Sequence, residues 1–210
     1  RGLVETPSEF GPAGEAPTHP ELLDDLASRF IENRWSIKWL HREILNSSTW
    51  QQSSFVSPAV EALDPTNHFY SRMPRRRLDV EVWRDAMLAA TDELDLKMGG
   101  EPFKLDDPAQ VRRTIYGIVQ RRELSTMLSV NDFPDPIAHS ASRTETSTPL
   151  QLLFSLNGPF VMQRAKMLAT RLNEGANDDP ARVRLAYSLL LQRAPEPREM
   201  ELGLAFLKSG

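Results

Sequence analysis

The thirty residues from Asn131 to Phe160, NDFPDPIAHSASRTETSTPLQLLFSLNGPF, limit what this chain can fold into more than any other stretch. Pro134 and Pro136 remove two backbone donors and push Phe133 and Asp135 towards extended backbone, so Asn131–Ile137 cannot be helix interior. The hydroxyl side chains of Ser140, Ser142, Thr144, Thr146, Ser147 and Thr148 bond to nearby backbone and favour turns and caps. Thr148–Pro149 is a helix start, with Thr at the N-cap and Pro in the first helical position. Leu150, Leu153, Phe154 and Leu156 are expected to give that helix its apolar face. Asn157–Gly158 should stop it before Pro159 opens the next. A long loop without regular structure inside a compact domain is usually functional or mobile.

Elsewhere the chain is punctuated by helix signals. Thr18-His-Pro-Glu21 has the form of a capping box, and Leu23, Leu26, Ala27 and Phe30 follow at helical spacing to about Asn33. Phe10 is a candidate anchor for the irregular arm before it. Ser36 caps a second helix with Ile37, Leu40, His41 and Ile44 on one face, and Trp35 and Trp39 bracket the turn between the two. Pro58–Leu63 allows one helical turn. A periodic helix over roughly Asp79–Leu94 carries Val80, Trp83, Met87, Ala90 and Leu94 along one side, and Gly99-Gly100 lies beyond its end. Asp107-Pro108 is a further start signal. Thr114 to Val119 favours a short extended segment, followed by a short helix over Glu123–Ser129. Apolar stripes within Val161–Leu172, Val183–Leu190 and Met200–Leu207 give further helices, joined by short loops and hence antiparallel neighbours.

The fold expected is therefore mainly α: an irregular assembly of roughly seven to nine helices with long loops and at most a minor two-stranded β element. Residues 1–210 are read as a single helical domain with a soft subdivision near 130. The chain opens on Arg1 rather than Met, which reads as a piece of a longer protein.

Composition removes several function classes. Twenty-five Lys and Arg stand against 29 Asp and Glu, a net charge of −4, whereas phosphate-backbone binding needs a basic field, so no nucleic-acid partner is expected. No apolar run approaches the ~20 residues of a membrane span. With no cysteine there is no disulfide, thiolate nucleophile, Cys-ligated zinc or iron–sulfur site. There is no His-Glu-x-x-His and no Gly-x-Ser-x-Gly, and no catalytic residue or metal ligand is assigned.

The candidate ligand-binding residues are Asp132, Asp135, His139 and Arg143, four ionisable groups within a dozen loop positions. Carboxylates and an imidazole can bind a cation or act as an acid/base pair. They can equally be structural, with Asp132 and Asp135 making Asx turns around the prolines and Arg143 tying the loop down through a carboxylate. His41 is expected to be buried and hydrogen-bonded, His19 to be a neutral packing or capping residue, and His68 to be exposed. The pairs and triplet Arg75–Arg77, Arg112–Arg113 and Arg121–Arg122 are an anion site on one reading. On the favoured reading they bridge to Asp79, Glu81, Asp85, Asp106 and Asp107. Trp83 belongs on the core stripe, and Trp35 and Trp39 against the first helix.

The words RGLVETPSEFG with THPELLDDLA, WSIKWLHREILNSSTWQQSS, RRRLDVEVWRDAML, RRTIYGIVQRRE, NDFPDPIAHSASRTETSTPLQLLFSLNGPFV and AYSLLLQRAPEPREMELGLAFL follow one another along the chain. Together they resemble the C-terminal domain of unknown function of secreted, planctomycete-type multidomain proteins. The resemblance implies an extracytoplasmic parent with an upstream cytochrome-c-like domain and a further domain of unknown function, linked to polysaccharide breakdown or surface electron transfer. It brings no catalytic list. Where relatives carry a cysteine shortly after the PDP words, this chain has Ala138-His139-Ser140, and no haem-attachment sequence is present. Haem is thus expected only in an upstream domain.

Two readings follow. In one, the chain is a non-catalytic module that binds glycan or docks neighbouring domains. In the other, Asp132, Asp135, His139 and Arg143 form half of an active site, completed by upstream domains at the N-terminus of the Thr148 helix, where anions are favoured.

Overall fold

The computed structural model of the protein describes residues 2–9 and 11–209, so the Phe10 anchor lies outside the described residues. Among those described, the chain forms nine α-helices and no sheet. Two isolated bridges, Asp95 with Arg112 and Phe103 with Gly117, stand where a minor β element was expected. The fold is mainly α. The chain gathers into two compact units, Arg1–Arg77 and Leu78–Gly210, so the division falls after Arg77 rather than near residue 130.

The first unit holds α1 (Pro20–Glu32), α2 (Ile37–Asn46) and α3 (Pro58–Leu63). Ser36 and Ser57 cap α2 and α3 by accepting from the amides of Trp39 and Val60, each three residues on. The capping box expected at Thr18 does not form. His19 is the N-cap of α1, and the Thr18 hydroxyl donates instead to Leu3 O. Between α1 and α2 the backbone reverses through two left-handed residues, Arg34 and Trp35. Trp35 meets the ring of Phe30 edge-on at 5.4 Å, and Arg29, which also pairs with Glu43, lies 5.3 Å over Trp39. Both tryptophans therefore pack on α1 as expected, but His41 is exposed rather than buried. Beyond α3, buried Asp64 accepts from the amides of His68 and Phe69, and buried Asn67 binds both N–H and C=O of Arg72. These bonds turn residues 64–72 into a rigid loop without regular structure.

The second unit holds α4 (Val80–Ala90), a 3-10 turn at Thr114–Tyr116, α5 (Thr126–Val130), α6 (Pro149–Asn157), α7 (Pro159–Gly175), α8 (Asp179–Leu191) and α9 (Pro197–Ser209). Helices α6 to α9 pack as successive neighbours, and α4 lies against α7. The core is Val80, Leu88, Phe103, Leu105, Met127, Leu128 and Phe160, with Trp83 and Phe154 half-buried beside it. Thr114–Tyr116 is a 3-10 turn, not the extended segment expected. Its conformation follows from Asp85, whose carboxylate takes both the amide and the hydroxyl of Thr114, at 2.8 and 2.6 Å. Asp107-Pro108 starts no helix, because the Asp107 carboxylate closes an Asx turn on Ala109.

The buried face of α4 is turned one position from the expected stripe, and its centre is Arg84, fully shielded from solvent. The Arg84 guanidinium donates to Gln110 O, Arg112 O and Thr114 Oγ1, at 2.5, 2.8 and 3.2 Å. It lies between the rings of Phe103 and Phe160, at 5.2 and 4.7 Å from their centroids. Burial pushes its pKa down to about 10, against the pull of Asp85, so it keeps its charge at neutral pH.

Candidate functional site

The 131–148 loop is held by a small number of side chains on α4 and α6. Asp132 sits in the left-handed region at φ 57, which Asp tolerates better than most residues. Its carboxylate accepts from Thr146 N and Oγ1, at 2.9 and 2.6 Å, and from Gln151 Nε2 at 3.1 Å. The loop's two ends are thereby pinned together. Thr148 and Gln151 then form a reciprocal capping box at the start of α6, below Pro149.

Asp135 accepts from Ile137 N at 2.9 Å, an Asx turn between the two prolines. Arg143 reaches back to α4. It makes a two-pronged bond to Glu81, 2.7 Å on each prong, stands 3.6 Å from Asp79, and covers the ring of Phe133 at 5.3 Å. The Arg143 hydrogen bonds hold Glu81 below the usual carboxylate range in spite of its partial burial. His139 is exposed.

All four candidate residues line one open concavity of about 380 Å³, together with Phe133, Pro134 and Ser140. The structure brings them together and gives three of them internal work. Asp132 and Arg143 fasten the loop and Asp135 shapes its turn, while the Ser140 hydroxyl donates to Ser142 O at 2.6 Å, which leaves His139 at the surface for contact with anything outside. Among the described residues no group of three or more His, Asp or Glu side chains gathers to hold a metal ion.

Two members of the arginine clusters, Arg112 and Arg75, turn to partners other than the acids expected. Arg112 binds the carbonyls of Gly99 and Glu101 and stacks on Tyr116 at 4.5 Å, and Arg75 binds Ser54. Asp106 accepts from the first amides of α5, while Asp79 and Glu81 face Arg143.

What the sequence reading missed is which side of α6 is buried. Its buried face carries Gln151, 3% exposed, with Phe154 and Ser155 half-buried beside it. Leu150, Leu152, Leu153 and Leu156 are 56 to 61% exposed. The expected apolar face thus points outward, save for Phe154, because Gln151 is drawn in by Asp132, Thr146 and Thr148. The signal available was Gln151 at the third position after a Thr–Pro start, which fixes the rotation of the helix about its axis. No helix among the described residues is long and apolar enough to cross a membrane.

Residues 1–207 match the model of a family described as PSD1, protein of unknown function (DUF1553). No curated protein and no solved structure matches the chain.

Proposed function

The chain belongs to the DUF1553 family, and we propose that it works as a non-catalytic docking module of an extracytoplasmic multidomain protein, binding a neighbouring domain of its parent through the outward leucine face of α6. The observation that carries this reading is the exposure of Leu150, Leu152, Leu153 and Leu156 on a helix whose buried side is given to Gln151. Helix α6, PLQLLFSLN, carries no charged side chain, so an apolar partner surface meets no desolvated charge there. Covering the leucines gains on the order of 1 kcal/mol each, more than an exposed loop carboxylate offers to a salt bridge. The capping box and the Asp132 bonds hold α6 and the 131–148 loop as one rigid surface, with Ile137 exposed on the loop. A preformed surface loses little entropy on binding.

The test is calorimetric titration of this chain with the separately produced upstream domain of a parent protein. Leu152→Glu/Leu153→Glu should abolish the binding heat while leaving the circular dichroism of the chain unchanged. Binding that survives the double variant rejects the α6 face. A shift produced by neutral, carboxylated or sulfated oligosaccharides, and by no protein domain, replaces docking with glycan binding.

A further inference from the structure

Thr18, His19, His68 and Tyr70 come together in the first unit, although some fifty residues separate the two pairs in sequence. Counting protons in this cluster fixes the state of one imidazole. The Tyr70 hydroxyl donates its one proton to Gly2 O at 2.9 Å. Thr18 Oγ1 lies 3.1 Å from Tyr70 Oη and gives its single proton to Leu3 O at 3.3 Å. His19 Nδ1, 3.0 Å from Thr18 Oγ1, must then be the donor in that contact. His19 is thereby assigned as the Nδ1–H tautomer, with a lone pair on Nε2. This is the arrangement that second-shell partners impose on a metal-ligating histidine.

The ring of His68 lies 6.2 Å from that of His19, centroid to centroid. Two imidazole nitrogens at the ~2.0–2.1 Å metal distance place their ring centres roughly 5 Å apart at a tetrahedral angle and roughly 6.5 Å apart when trans, so the observed separation asks for a wide angle between the two ligands. Both imidazoles stand on fixed backbone. The amide of His68 is held by Asp64, and the ring of His19 rests 5.1 Å from that of Tyr70. Both side chains are half-buried.

We propose that His19 and His68 form a two-imidazole site for a late first-row divalent cation, Zn²⁺ or Cu²⁺, with water completing the coordination. The ligand set is nitrogen only, which suits these ions and not Mg²⁺ or Ca²⁺. The site is independent of α6.

The experiment titrates the full 210-residue chain with Zn²⁺ and with Cu²⁺ alone, by calorimetry and by electron paramagnetic resonance of the copper form. One ion per chain is expected, with copper bound more tightly and showing coupling to two nitrogens. His19→Ala and His68→Ala should each weaken binding at least tenfold and leave one nitrogen. Thr18→Val, which keeps both ligands, should weaken it by about 10- to 100-fold, the usual effect of losing a second-shell partner. His41→Ala serves as the control and should bind as the wild type does. The 64–72 loop is held through backbone bonds, so His68→Ala keeps its fold and decides the question alone if the His19 variant unfolds. Absence of saturable binding, wild-type affinity in His68→Ala, or loss of binding in His41→Ala overturns the proposal.

Discussion

The guanidinium of Arg84 lies 4.7 Å from the ring centroid of Phe160, and Arg164 covers the same ring at 5.1 Å. Two buried cations thus share one aromatic residue at the centre of the second unit, where a bundle ordinarily places aliphatic side chains. Each is answered locally. Arg84 has Asp85 at 3.8 Å and three acceptors, and Arg164 has Glu93 at 3.1 Å and Pro108 O at 3.2 Å. Their value lies in the acceptors: they satisfy carbonyls of the irregular 108–114 stretch, which has almost no regular backbone pairing of its own.

Arg84→Ala should therefore destabilise the second unit by about 3–5 kcal/mol, the cost of breaking a buried charged network and leaving its acceptors unmet. Urea unfolding checks this. Hydrogen exchange should show the 110–116 amides opening first. A loss under 1 kcal/mol contradicts the role given to Arg84.

Gly117→Ala should cost about 1–3 kcal/mol, the usual penalty for overpacking. Gly117 bridges to Phe103, and a methyl group on it collides with the side chain of Leu105, itself buried and unable to give way. The melting temperature of the variant reports the effect, and an unchanged value refutes the collision.

Acid should release the 131–148 loop through Glu81. Its pKa is lowered in the folded chain, chiefly by the Arg143 hydrogen bonds. The contribution of the pair is thus complete above the ordinary glutamate value of ~4.3 and is lost as pH falls below it, through the depressed folded value. Limited proteolysis at Ala138–Arg143 with an acid-active protease should accelerate over that window. In Arg143→Ala it should already be fast at neutral pH with a neutral-active protease.

Asp132→Ala removes the shared acceptor of Thr146 and Gln151. The Thr146 amide should exchange at least tenfold faster, and α6 should lose the constraint on its rotation. Leu152→Ser and Leu153→Ser, by contrast, should leave stability within about 0.5 kcal/mol, since neither side chain is buried. A large loss in either leucine variant shows that α6 faces inward in solution.

Much of this fold was legible because helix ends are written locally. Ser36, Ser57 and Thr148 cap through amides three residues away, and prolines open α1, α3, α6, α7 and α9 at their first position. The Asx turn at Asp135 and the tie through Arg143 were readable for the same reason, although the partner of Arg143, Glu81, lies 62 residues away and was not named by the pattern. What escaped was set by distant partners. Periodicity placed Val80, Trp83 and Met87 inward and had no means of placing Arg84, whose acceptors lie 26 to 30 residues on. It placed the α6 leucines inward because hydropathy outweighs one glutamine, whereas Asp132 and Thr146 reverse that order in space. The meeting of His19 with His68 rests on the folded 64–72 loop and left no periodic trace.

The dependence of the 108–114 stretch on two guanidiniums carries a consequence for the order of events in folding. Helices α7, α8 and α9 are joined by short connections and can form from neighbouring contacts soon after the chain collapses. The stretch after α4 closes only when Arg84 and Arg164 have been delivered from two helices on either side of it in the sequence, so its closure waits on loop entropy. It becomes native late and together with the packing of α4 on α7, which makes it the part of the second unit that a nascent chain leaves exposed longest.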